Sequence, residues 1–156
     1  MAIQIAMLGD RDSGSTNRVF MTIKNNQGDI LEPGKVVEFS STTTDADQGF
    51  AVELVDTAVN VTSGIGAQVA GVVDSTLNTA EKGKIQIFGP ANVRAQASLA
   101  ADVQVVASSI NATNIGHVAT ASQSTLTSPS YIGALVGWTL ENGPNATNAT
   151  VFLKCF

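Results

Sequence analysis

The stretch GKIQIFGPANVRA (residues 83–95), which runs directly into QASLAADVQVVAS (residues 96–108), decides how this chain is read. Apolar and polar residues alternate in KIQIF, a glycine-proline pair interrupts the run at Gly89 and Pro90, and a short apolar segment follows before a turn leads into QVVA. A period of two, β-branched residues and flanking turn formers are the marks of strands. The stretch therefore reads as a strand, a corner, a second short strand, a turn and a third strand. It contains almost no group that a reaction could use.

The same pattern extends in both directions. Alternation recurs in AIQIAML (residues 2–8), RVFMTIK (18–24), KVVEF (35–39), FAVELV (50–55) and AQVAGVV (67–73). It returns in DVQVVA (102–107), YIGALVGWTL (131–140) and TVFLKC (150–155). Separators such as NNQGD, LEPG, TSGIG and ENGPN supply the glycine and Asx residues of tight connections. Short strands at this spacing predict an all-β fold, a small β-barrel or sandwich. Helix content is expected to be low: STLNTAEKG (75–83) can form one turn, and FAVELVDTAVN (50–60) fits either period. The first twenty-five residues, two alternating segments around a polar GDRDSGSTNR, read as an N-terminal arm or added hairpin ahead of a β-domain over residues 26–156, and fit an ordinary first hairpin equally well.

A length of 156 residues suits one domain able to bury a core without disulfides or a structural metal. The charged fraction of 13% is about half of the roughly 25% usual in soluble domains, so the surface is built of Ser, Thr, Asn, Gln and Ala. Such depletion suits packing against identical subunits or a larger assembly. The net charge is -5, and the eight Lys and Arg are spread thinly, which leaves nucleic-acid binding without electrostatic support. Cys155, the single cysteine, reads as an alternating strand residue. No window approaches a membrane span and no leader pattern stands out, so folding in a cytoplasm is expected.

Candidate chemistry is sparse. DRDSGS (residues 10–15) and DADQG (45–49) have the look of calcium loops, but Gly and Glu are missing from the sixth and twelfth positions that such a loop needs. GIGAQVAG (64–71) has its third glycine misplaced for a dinucleotide fingerprint and is followed by β-branched residues. His117, the only histidine, has no Cys, Ser or carboxylate motif beside it and reads as a strand-end residue. No catalytic, cofactor-binding or metal site is expected, and no enzyme. Trp138 and Tyr131 lie in a strand whose pattern predicts their burial.

The order GDILEPGKVVEF, then QVAGVVDSTLNTAEKGKIQIFGPANVRAQASLAADVQVVAS, then IGHVATASQS and YIGALVGWTLENGPNATNATVFLKCF resembles the bacteriophage capsid decoration, or cement, proteins. The shared cadence is a G-x-x-V opening, a G-V-V strand, a glycine-led strand into a turn with A-x-L-x-A-x-D, and a closing I-G-x-A/L strand. It spans residues 28–156. Residues 1–25 have no counterpart in it, and GPNATNA is inserted before the last strand. The resemblance implies a β-tulip-like domain, assembled as a homotrimer on the capsid exterior, that binds the major capsid protein and stabilises its lattice. It also implies a virion protein made in the host cytoplasm, without nucleic-acid or membrane partners. Ile3, Ile5, Met7 and Leu8 of the arm, with Arg11, Asp12 and Arg18 as polar partners, are the expected capsid or intersubunit contacts. The alternative is a trimeric β-domain of a phage fibre or receptor-binding protein that recognises cell-surface glycan through exposed aromatics.

Overall fold

The computed structural model describes residues 17–40, 49–55, 69–108, 116–121, 135–142 and 148–155. These residues form nine strands and no helix: β1 (Val19–Asn25), β2 (Val36–Phe39), β3 (Ala51–Leu54), β4 (Val69–Val73), β5 (Lys82–Val93), β6 (Gln104–Ser108), β7 (His117–Thr120), β8 (Leu135–Thr139) and β9 (Ala149–Lys154). The all-β expectation holds.

Five strands close a barrel. β1 pairs with β3 in parallel and with β5 antiparallel, and β3–β2, β2–β4 and β4–β5 pairings complete the ring. Its interior is filled by Ile23, Val37, Val52, Leu54, Val73 and Ile85, with Leu31 and Leu77 bridged to each other in the same cluster. Each such side chain contributes about 1.5–3 kcal/mol by leaving water. Val19–Asn25, within the segment read as an N-terminal arm, an added hairpin or an ordinary first hairpin, forms a barrel strand without which the ring stays open. The earlier part of that segment lies outside the described residues.

β5 is twelve residues long and belongs to two sheets. Its first half lines the barrel, and from Phe88 to Val93 it pairs with β9, beyond which the sheet runs β9–β8–β6–β7. This second sheet curls back on the chain that leaves β5. Ala95 bridges Val118 of β7, the Val118 N–H donates to the Arg94 carbonyl at 2.8 Å, and the Gln96 N–H donates to the Val118 carbonyl at 2.9 Å. The outer edge of β7 is thereby covered, which removes a template for unwanted strand pairing.

Inside the curl lies a second core of Val93, Ala95, Val105, Val118, Val136, Val151 and Leu153, packed against Val36 of β2 and Val69 and Val72 of β4. β2 and β4 thus form a wall between the cores: Val36 and Val72 belong to one, Val37 and Val73 to the other. That explains the near-continuous apolar runs in KVVEF and QVAGVV, since neither strand has a wet face in its buried part. Glu38 pairs with Val69 while Val37 pairs with Gly71, so Ala70 is the extra residue of a bulge that lets Val69 and Val72 share a side.

Two local expectations are corrected. The Gly89-Pro90 corner does not end a strand, because the buried Gln86 amide donates from Nε2 to the Phe88 carbonyl at 3.0 Å and the Pro90 carbonyl at 2.9 Å and holds the bend inside β5. Residues 75–81 form a non-helical turn, and Lys82 and Gly83 already belong to β5. Ala80 has φ +62°, and the Asn78 N–H donates to Glu81 Oε2 at 2.7 Å.

Candidate functional site

Where the barrel meets the second sheet, a groove of about 420 Å³ opens to solvent. Its floor comes from Val72 and Val73 of β4 and from Gln86, Pro90 and Ala91 of β5, and its polar walls from Arg18, Asp74, Asn92, Arg94, Asn148 and Thr150. The volume falls within the range of small-ligand sites.

Two turns build it. In LEPGK, Pro33 and Gly34 make a tight turn closed by the Lys35 N–H on the Glu32 carbonyl at 3.3 Å, with Gly34 at φ +82° as a type II turn requires. Gly34 is wedged between β4 and β5: its N–H donates to the Val73 carbonyl at 2.9 Å, and its carbonyl accepts from the Arg94 N–H at 2.7 Å. At the other end Gly89 has φ +90°, and the Asn17 carbonyl sits where a β-carbon would project. That crossing sets Arg18 at the groove beside Pro90.

The charges are unevenly committed. The Arg94 guanidinium meets Glu32 at 3.5 Å, and the same carboxylate meets Lys35 at 3.9 Å. Arg18 is exposed. Nearby, burial, and then the charges of Lys35 and Arg94, push the pKa of His117 below its ordinary 6.5, only partly opposed by Glu32. The buried Nδ1 of His117 and Oε1 of Gln96 have no hydrogen-bond partner among the described residues. Burial pushes the Cys155 thiol up to about 12, and its Sγ points at the Val136 carbonyl, 3.7 Å away. A thiol held protonated in a core is a packing group, not a nucleophile.

Beside the groove, the outer face of the second sheet carries an aromatic ladder. Trp138 stacks on Phe152 with ring centroids 5.2 Å apart and planes 16° apart, and Phe152 meets Phe88 edge to face at 5.1 Å. The register makes this a row across four strands, since Gln104 pairs with Trp138, Trp138 with Phe152 and Phe152 with Pro90. Pro90 belongs to both ladder and groove. One row along, the Thr150 hydroxyl donates to Glu141 Oε1, and Asn92 Oδ1 lies 3.4 Å from the hydroxyl oxygen.

Trp138 is 38% exposed and Leu140 44%, against the expectation that Trp138 is buried, while Tyr131 lies outside the described residues. The cause is a bulge. Val105 pairs with Gly137 but Val106 with Leu135, so Val136 is extra and turns into the core while Trp138 turns out. Gly137 permits this because the Phe152 carbonyl occupies the space of its missing side chain. Strict alternation would place Val136 and Trp138 on one face, so nothing in YIGALVGWTL announces the switch.

Of the expected contact residues, Arg18 is at the groove, whereas Ile3, Ile5, Met7, Leu8, Arg11 and Asp12 lie outside the described residues. Pro90, Asn92, Asn148 and Thr150 were not singled out by sequence; they are ordinary strand and turn residues until the register sets them together. Among the described residues no group of three or more His, Cys, Asp or Glu side chains could hold a metal ion.

The fold has a solved counterpart. The head fiber gp8.5 N base of bacteriophage phi29 superposes with a TM-score of 0.54, over 86% of this chain and 94% of that one, at 7% sequence identity. At that identity the likeness is one of fold. No protein-family model and no curated protein matches the sequence.

Proposed function

We propose that this chain is a structural protein of a phage virion that attaches to the head through protein contacts. The observation that supports the reading is the shared fold, which covers nearly the whole of a protein described as the base of a head fiber. The low-charge surface, suited to subunit packing, points the same way. In its finer form the proposal is the one the decoration-protein resemblance implies. The protein sits on the capsid exterior as a homotrimer, binds the major capsid protein, stabilises the lattice mechanically and catalyses no reaction. A protein that binds the assembled shell but not free shell subunits stabilises the shell by linkage, and several modest contacts per trimer add through multivalency.

The test is co-sedimentation of the purified protein with expanded, undecorated shells of its phage. Saturable binding at a fixed ratio to shell subunits, with greater resistance of the shells to heat, is the expected result. Failure to co-sediment with shells that lack only this chain contradicts the proposal.

A further inference from the structure

We propose that the groove and the adjoining aromatic ladder form a binding site for a carboxylated saccharide of one or two rings, a function distinct from attachment to a head. Three features of the face carry this.

First, shape and size: the groove holds about 420 Å³ and is open along one side, as suits a ring entering from solvent. Second, its polar walls match sugar chemistry. Asn92 and Asn148 offer amide groups able both to donate and to accept, and the Thr150 hydroxyl, whose proton goes to Glu141, keeps acceptor capacity, which together suit vicinal hydroxyls. The Arg18 guanidinium stands at the groove, where a carboxylate can be held by two parallel charge-assisted bonds. Arg94 is turned toward Glu32, so Arg18 is the cation that remains for the ligand's carboxylate, while Asp74, the one carboxylate among the lining residues, is left to accept from hydroxyls. Third, an apolar shelf adjoins the polar walls: Pro90 lies within the groove, Phe152 is opposite it across the sheet, and Trp138 is stacked on Phe152 yet 38% exposed. Apolar surface of this kind accepts the C–H face of a pyranose, and an indole pairs an apolar body with a polar N–H. The glycan-recognising alternative read from the sequence lacked such a surface because the strand pattern predicted its burial; the bulge at Val136 supplies it.

The experiment uses the reporter already in place. Trp138 is the only tryptophan in the chain, so its fluorescence reads the ladder alone. The full chain is titrated at low salt with digalacturonate, with neutral galactobiose and with an acidic tetrapeptide. The proposal expects a saturable emission change with digalacturonate that weakens as salt is raised, and a much smaller one with galactobiose. Arg18→Ala should cut affinity for digalacturonate about tenfold or more while leaving thermal stability unchanged, since it removes a charge-assisted bond from an exposed side chain. Asn92→Ala, read by saturation-transfer NMR, should weaken binding without abolishing the charge preference. No saturable change with digalacturonate overturns the proposal, as does equal affinity for the neutral disaccharide. Tighter binding of the peptide overturns it in favour of a protein-docking face. Shell co-sedimentation of the Asn92→Ala protein, changed at a groove residue outside the expected capsid contacts, keeps the two proposals apart, because weakened saccharide binding alone leaves head attachment intact.

Discussion

The barrel and the second sheet are built from the same residue types, share β5 and each bury a satisfied polar anchor, yet their outer faces differ. The barrel locks its polar residue inside. Asn25 is fully buried, shares its two Nδ2 protons among the carbonyls of Asp29, Leu77 and Asn78 at 3.0, 3.1 and 3.1 Å, and accepts from the Gln27 N–H at 2.8 Å. The second sheet has its own satisfied anchor in Thr139, whose hydroxyl donates to the Ala100 carbonyl at 2.6 Å and accepts from the Val103 N–H at 3.0 Å. Its outer face, however, presents Trp138, Leu140, Asn92 and Thr150 to solvent. The barrel meets solvent too, through Ile30 and Phe50 among others, but it is the second sheet that lays an aromatic row beside the groove. The difference shows where sequence change is free: the outer face can be altered with little cost to the fold, and the shared wall of β2 and β4 cannot.

The sharpest way to break that comparison is to ask whether the cores are separable. Ile85→Ala in the barrel and Leu153→Ala in the second core should each cost about 3 kcal/mol, because both side chains are fully buried. Since β5 threads both cores, each variant should unfold in one transition by calorimetry and denaturant alike. Two resolved transitions would contradict a shared wall. A smaller loss, about 2 kcal/mol, is expected for Asn25→Ala, which takes the side-chain partner from the Asp29 carbonyl and the Gln27 N–H, while the Leu77 and Asn78 carbonyls keep their bonds from the Leu31 and Glu81 N–H groups. Thermal melts check it.

On the outer face, Trp138→Ala should cost no more than about 1 kcal/mol, the worth of an aromatic pair at a partly exposed position. A loss as large as that of Leu153→Ala would mean that the ladder is core rather than surface.

The finest effects are in pH. His117 has its folded pKa held below 6.5, so the unfolded chain binds the proton more tightly. Stability from this source is full above the unfolded pKa and falls as pH drops through the window below 6.5. His117→Gln should flatten that slope in a series of melts at different pH. For Cys155 the sign is reversed: its folded pKa of about 12 lies above the ordinary 9.0, so stability is lost as pH rises through that interval. A disulfide reagent at pH 8 should label Cys155 only in denaturant.

Much of this fold was legible in the sequence. Eight of the nine described strands fall on segments whose alternation marks them, and β7 begins at the His117 expected to stand at a strand end. What was not legible depends on single residues. Ala70 and Val136 each insert one residue into a ladder, and a period-two reading has no means of seeing an extra residue. Gln86 holds a Gly-Pro bend inside a continuous strand with side-chain bonds that no local pattern predicts. The groove was hidden for a different reason. Its residues come from β4, β5, the Pro33 turn and the residues flanking β1 and β9, and only the register brings them together.

The most direct test of the proposed function is electron cryomicroscopy of virions of the phage that encodes this chain. The account predicts density for the closed barrel and its attached curled sheet on the outer surface of the head, at fixed positions of the shell lattice. Complete virions with no such density on the head would contradict it.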